Sequence, residues 1–101
     1  MARIQTKTLR WDPPADPDVV KYRIYVTYGD SAEPYTGTMV EVTETQAILP
    51  DAFPEGTFDQ EGNYVIQVTA VDDQGNESDE RVLVHPLDFH PPAPVGNLEL
   101  I

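Results

Sequence analysis

Two stretches of the chain alternate apolar and polar residues with a period of two, and this pattern constrains the fold more than any other feature. Tyr22, Ile24 and Val26 share one face of the first stretch, and the even-numbered residues of 64–70 share one face of the second. Side chains of a β-strand point alternately to opposite faces, so such stretches are typical of strands that cover a core with one side. The pattern predicts antiparallel sheets with one buried and one solvated face.

Turn-forming residues separate these stretches and argue against helices. Ten prolines are spread along the chain, and a proline inside a helix removes a donor and clashes with the preceding turn. Three of them lie in residues 12–17, while 28–30 and 72–76 carry the Gly, Asp and Asn of turns. Short strands at turn-separated intervals are typical of a β-sandwich, so we predict an all-β fold.

The middle of the chain gives a weaker pattern. Residues 39–42 alternate and are expected to form an edge strand, whereas residues 47–49 are apolar on both faces, so periodicity leaves open which of them point inward. We expect Leu49 in the core. The long connection that follows carries Phe53 and Phe58, which we expect to close one end of the core rather than to contact a ligand.

Trp11, Tyr22 and Tyr64 occur in an order and at spacings that resemble the B, C and F strands of a fibronectin type III domain. In that family a B-strand tryptophan is a central core residue, and a C-strand aromatic packs near it. Tyr64 resembles the tyrosine corner, whose hydroxyl bonds a nearby backbone group at the turn into strand F. Residues 70–71 and 75–78 resemble the end of strand F and the FG turn of bacterial members.

The resemblance implies an immunoglobulin-like sandwich of two antiparallel sheets, with about seven strands, over residues 1–88. Two departures from the family matter. The connection 50–63 is longer than the family's usual loop, and little chain precedes Trp11 to supply the family's A strand. Residues 89–101 instead hold a proline-rich linker and a tail that resembles an A strand, whose candidate residues for strand exchange are Val95, Leu98 and Leu100.

Three roles for this tail fit the sequence. It is the start of a following repeat, or an edge strand that folds back on its own domain, or a strand that completes a neighbouring copy in a homo-oligomer. The proline-rich stretch 90–94 is semi-rigid and extended, which resists a tight return and favours exchange over folding back. Either strand-completing role predicts that removal of residues 97–101 lowers stability.

Acidic residues dominate the composition. Eighteen Asp and Glu against six Lys and Arg give a net charge of −12, which repels nucleic-acid phosphates and anionic membrane surfaces, so neither partner is expected. Residues 1–7 lack the apolar region of a secretory signal, and no stretch has the ~18 apolar residues of a membrane span. The localisation is therefore left open: extracellular if the chain is a fragment of a secreted protein, cytoplasmic if it is complete.

No arrangement of side chains predicts catalysis, a cofactor or a metal site. The chain has no cysteine, which excludes thiol nucleophiles and thiolate metal ligands. Neither a Gly-x-Ser-x-Gly elbow nor a phosphate-binding glycine loop occurs. The acidic cluster 72–80 offers oxygen ligands for calcium but lacks the spacing of a calcium loop, so turn-forming carboxylates are expected there, as in the loop 12–18. His85 and His90 have no convincing partners for zinc.

An exposed apolar stripe is predicted on the side of the sheet away from the core. If Ile24 faces inward, Tyr25 faces outward, and the same alternation places Val65 and Val71 on the outer side of the adjoining strand, with Leu83 beside them. Such a stripe is a candidate face for a protein partner.

We therefore expect a non-enzymatic protein-interaction or spacer module that binds a protein partner or a second copy of itself. The alternative is a carbohydrate-binding accessory module of an extracellular protein, and it requires a coplanar row of exposed aromatic residues. Tyr25, Tyr28 and Tyr35 are the candidates for that row.

Overall fold

The structure, a computed structural model, describes residues 2–101. Within that range it contains six strands and no helix, in agreement with the predicted all-β fold. They are β1 (Lys7–Arg10), β2 (Val19–Tyr28), β3 (Thr38–Val42), β4 (Gln46–Leu49), β5 (Gly62–Asp72) and β6 (Arg81–Leu87). The strands form two antiparallel sheets: β1 pairs with β4, and the other four have the order β3, β2, β5, β6. No membrane-spanning helix is found among these residues.

The predicted inner face of the four-stranded sheet is confirmed. Ile24 and Val26 of β2 and Ile66 of β5 are buried together with Tyr64. The Tyr64 hydroxyl donates to the backbone carbonyl of Gln60 at 2.6 Å and accepts the N–H of the same residue at 3.1 Å. This is the kind of hydrogen bond that a tyrosine corner makes, and it anchors the connection between β4 and β5 to the sheet.

One hydrophobic core joins the two sheets. β4 contributes Ala47 and Leu49, which are buried, whereas Ile48 between them is 45% exposed. Leu49 therefore lies in the core, as predicted. Phe53 and Phe58 are buried as well, with ring centroids 5.4 Å apart, so the two phenylalanines of the long connection complete one end of the core.

Phe89, two residues beyond β6, packs into the same end of the core. Its ring centroid lies 5.4 Å from that of Phe58, and the side chain is buried. The folded body thus includes Phe89, which the sequence prediction assigned to the linker. Residues 90–101 are exposed and form no strand. The radius of gyration of 17.0 Å exceeds the ~13 Å of a compact chain of this length, because chain ends extend from the body.

The outer face of the two central strands, β2 and β5, is covered, so the prediction that Tyr25, Val65 and Val71 form an exposed stripe is wrong. Tyr25, Val65 and Val71 are 7%, 2% and 0% exposed. The alternation of these residues was read correctly, but the prediction assumed that water covers the second face of an antiparallel sheet. Here the loop between β2 and β3 and the segment after β5 fold over that face instead.

The loop 29–37, which joins β2 to β3, supplies part of this cover. The side-chain amide of Gln67 on β5 donates to the carbonyl of Glu33 at 3.0 Å, and its oxygen accepts the N–H of Tyr35 at 3.1 Å. Gly37 ends the loop with φ of +108°, and a Cβ at this position would collide with a backbone carbonyl of β2. Only glycine fits this close approach without displacement of the strand.

Candidate interaction groove

The outer edge of β1 is open. Among residues 2–101, β1 pairs with β4 alone, with Leu9 opposite Ala47 and Lys7 opposite Leu49. Lys7 and Arg10 are exposed, and Leu9 is half-buried. An edge strand of this kind presents backbone N–H and C=O groups to which another strand can bind. The edge therefore offers backbone partners beside an apolar side chain.

A groove separates this edge from the margin of the four-stranded sheet. Its cavity volume is about 980 Å³, and its apolar lining comes from Leu9 and Trp11 on one side and from Ile66, Val68 and Leu83 on the other. A sheet of two strands leaves part of the inner face of a sheet of four uncovered. The groove includes that uncovered part and extends to the loop 12–18 and the turn after β5.

Leu83 lines this groove and does not lie on the outer face that was predicted for it. It pairs opposite Ile66, and directly opposite residues of neighbouring strands share a face, so Leu83 belongs to the inner side of the sheet. Ile66 is buried, whereas Leu83 on the edge strand is 45% exposed. The prediction was wrong because the pairing register decides the face of a strand, and a shift of one residue reverses it.

Trp11 forms one end of the groove. Its ring meets the ring of Tyr22 edge-on at a centroid distance of 5.5 Å, which is the contact that the resemblance implied. The ring is half-buried at the margin of the core, however, and not a central core residue. The indole Nε1 is buried and has no hydrogen-bond partner in the described part of the chain. Because Trp11 is the single tryptophan of the sequence, its fluorescence reports on the occupancy of the groove.

The turn after β5 borders the groove with a carboxylate that is bonded internally. Asp72 Oδ1 accepts the backbone N–H groups of Gln74 and Asn76 at 2.9 and 2.8 Å, and Oδ2 accepts the side-chain amide of Asn76 at 3.0 Å. The bond from the Asn76 side chain makes the largest contribution to a lowered pKa of Asp72. Asp72 thus shapes the turn, as predicted for the acidic residues in this segment.

Glu77, in the same segment, accepts three hydrogen bonds on the outer side of the sheet. Its Oε2 accepts the hydroxyls of Tyr25 and Thr69, each at 2.6 Å, and its Oε1 accepts Arg23 Nη1 at 2.8 Å. Burial raises the pKa of Glu77, but the bonds from Thr69, Tyr25 and Arg23 outweigh it and hold the pKa below its usual value. The sequence prediction missed this network. The only indication of the network in the sequence is that Tyr25 and Thr69, both with hydroxyl groups, occupy outward positions of two strands.

The apolar residues of the C-terminal tail are exposed. Val95, Leu98 and Leu100 are 83%, 86% and 102% exposed, and residues 91–101 pair with no strand of the described chain. The folded-back arrangement is therefore not adopted in this structure. Contiguous exposed apolar residues in soluble proteins commonly mark an interaction site. The chain thus carries a groove with an apolar lining on both sides and an exposed apolar segment.

His90 has neighbours that the sequence prediction missed. Glu61, Asp88 and His90 offer ligand atoms that lie within 4.8 Å of one another, and all three side chains are exposed. The backbone N–H of His90 donates to Asp88 Oδ1 at 2.8 Å. This bond orients the first residues of the tail where they leave the body.

The three tyrosines considered for carbohydrate binding do not form one row. Tyr25 is buried, while Tyr28 and Tyr35 are 46% and 43% exposed. The rings of Tyr25 and Tyr35 meet edge-on with an interplanar angle of 77°. Because a sugar-binding platform needs coplanar exposed rings, the geometry of these residues does not supply one.

Comparisons of the chain with models of protein families, with curated proteins and with solved structures found no match. The resemblance to fibronectin type III domains therefore stays a prediction from the sequence.

Proposed function

We propose that the chain is a non-enzymatic protein-interaction module that accepts a β-strand at the open edge of β1. The strand that we propose for this edge is the C-terminal tail of a second copy. The two sheets then belong to an immunoglobulin-like sandwich of the fibronectin type III kind, with its seventh strand supplied by another molecule. The same contact suits a spacer module in a longer array.

One observation carries this proposal: the unpaired edge of β1, the apolar groove beside it and the exposed apolar tail occur on one chain. Addition of a strand pairs the free backbone groups of the edge and places alternate side chains in the groove. Each leucine moved from water into the groove contributes ~1.5–3 kcal/mol. Fixing the backbone of each added residue costs ~1–2 kcal/mol. Because these terms oppose each other, we expect a weak association, which becomes detectable by mass action as the protein concentration rises.

The proposal is tested on the full chain by size-exclusion chromatography with light scattering over a range of concentrations. We expect the mean mass to rise above that of the monomer, 11.3 kDa, as concentration increases. The double variant Leu98→Asp with Leu100→Asp should remain monomeric, since charged residues cannot enter the groove. The emission of Trp11 should shift with concentration in the natural chain and not in this variant.

A matched control uses another exposed apolar residue that does not line the groove. Val84 is 43% exposed on the edge strand β6, and it pairs opposite the outer-face residue Val65 of β5. Its replacement by aspartate should leave the association unchanged. Association that is lost in this control and kept in the tail variant would assign the contact to the β6 edge and refute the proposal. A chain that is monomeric at every concentration would refute it as well.

A further inference from the structure

The groove has two ends, and the orientation of β1 between them is fixed by contacts. Trp11 directly follows β1 and touches Tyr22, near the start of β2, so we name this the Trp11 end. The opposite end, where Phe58 packs against both Tyr64 and Phe89, is named the Phe89 end. β1 therefore runs from the Phe89 end to the Trp11 end. A strand that pairs with it in antiparallel fashion must run from the Trp11 end to the Phe89 end.

The tail of each copy leaves from the other end of its own body. β6 runs from Arg81, near the Trp11 end, to Leu87, and the chain then passes Phe89 and departs. Residues 90–94 hold three prolines and have the extended character of polyproline, so they span ~16 Å without reversing direction. Each copy consequently donates its tail at the Phe89 end and accepts one at the Trp11 end.

We propose that copies join head to tail in an open series, in which the straight tail of one copy enters the groove of the next at its Trp11 end. This inference rests on the proposed function. Every strand pair in this structure is antiparallel, and we assign the same direction to the added strand. Each contact joins the tail of one copy to the groove of another. A free groove therefore remains at one end of the series and a free tail at the other, so further copies can add.

The side chains fix the register of the added strand. With Leu100 opposite Leu9 and Leu98 opposite Trp11, both leucines face the groove. The same register places Glu99, the single acidic residue of segment 91–101, directly opposite the exposed Arg10 on the outer side. A register shifted by one residue would place Glu99 in the groove, and a shift by two would separate it from Arg10.

Two competing arrangements require a reversal of the tail. To pair with its own β1 in antiparallel fashion, the tail would first run back along β6, whose length of ~20 Å consumes residues 90–96 and leaves only residue 97 for the turn before Leu98. In a reciprocal dimer the two bodies lie antiparallel, and each tail must also reverse before it enters the partner. The extended stretch 90–94 suits neither path.

Engineered disulfides test the direction and the register together. The chain has no cysteine, so any disulfide must be the introduced one. Directly opposite residues of an antiparallel pair have Cα atoms ~4.5–5.5 Å apart, within the range that a disulfide bridges. The full chain with Arg10→Cys and Glu99→Cys is oxidised at the concentration where association is measured. A non-reducing gel should show a ladder of dimers, trimers and larger species.

Single variants and a displaced pair complete the experiment. A mixture of Arg10→Cys chains with Glu99→Cys chains should give a mixed dimer with one bond per pair. Thr8→Cys with Glu99→Cys places the two cysteines on the same face but two positions apart, so it should give little product. An efficient ladder from this displaced pair would overturn the register.

The remaining outcomes separate this inference from the proposed function. A cross-linked monomer as the main product of the double variant would show pairing within one chain and overturn the series. Dimers without larger species would show reciprocal exchange and overturn it too. Association of the natural chain without cross-linking at either pair would overturn the head-to-tail register and leave the proposed function standing. Absence of association by light scattering would refute the proposed function itself.

Discussion

The replacement Glu77→Ala tests whether the outer side of the sheet is held together by a single carboxylate. The hydroxyls of Tyr25 and Thr69 both donate to Glu77 Oε2 at 2.6 Å, and both residues are buried. Without the carboxylate these two hydroxyls have lost their acceptor. Arg23 keeps its bond to Glu41 at 2.9 Å, so its contribution is not counted.

The expected magnitude follows from the two hydroxyl groups. Each buried donor that loses its partner costs ~1 kcal/mol or somewhat more, which gives ~2–3 kcal/mol for the pair. For a domain of this size, 1 kcal/mol corresponds to ~4–8 °C, so we expect Glu77→Ala to lower Tm by ~10–20 °C. Glu77→Gln retains an acceptor oxygen without the charge and should lose about half as much. Thermal unfolding followed by circular dichroism measures both values.

Asp79→Ala is the matched control for this prediction. Asp79 lies two residues further along the same acidic segment, and its side chain is exposed. It should change Tm by a few degrees at most, because substitutions at exposed positions are usually close to neutral. If Glu77→Ala and Asp79→Ala have the same Tm, the network does not stabilise the sheet and the argument from orphaned hydroxyls is wrong.

Two further predictions concern the tyrosine corner and acid. Tyr64→Phe removes both bonds to the Gln60 backbone and should cost ~1–2 kcal/mol in urea unfolding, more than Tyr28→Phe, whose hydroxyl makes one bond at an exposed site. The pKa of Glu77 is lowered on folding from an ordinary value of 4.5, so its stabilisation is complete above that pH and is lost as the pH falls through the folded pKa. Tm should therefore fall more steeply below about pH 4.5 in the natural chain than in Glu77→Ala; equal slopes would exclude Glu77 as the source.

The inner faces of β2 and β5 were predictable because they depend on local geometry. A strand turns successive side chains to opposite sides whatever surrounds it, so alternation alone placed Ile24 and Ile66 in the core. Alternation left open which of residues 47–49 point inward, and Leu49 and the two phenylalanines were expected in the core because large apolar side chains favour burial. The burial of these residues could therefore be predicted without knowledge of which strands pair.

The covered outer face and the groove depended on contacts between distant segments. The alternating pattern correctly predicted that Tyr25 and Val71 point away from the core. It cannot show that a loop and a turn fold over them. Leu83 was assigned to the wrong face because its position depends on pairing with Ile66, which the sequence does not display.

The loop 29–37 covers part of the outer face of the four-stranded sheet, and this affects how the protein can be engineered. Insertions into surface loops usually cost little, because the entropy of loop closure rises slowly with length. In this loop they would pull the backbone of Glu33 and Tyr35 away from Gln67, which is 1% exposed, and so break both hydrogen bonds of its side-chain amide. Gly56, by contrast, has open space around it. A grafted peptide belongs at Gly56, and the loop 29–37 should keep its length.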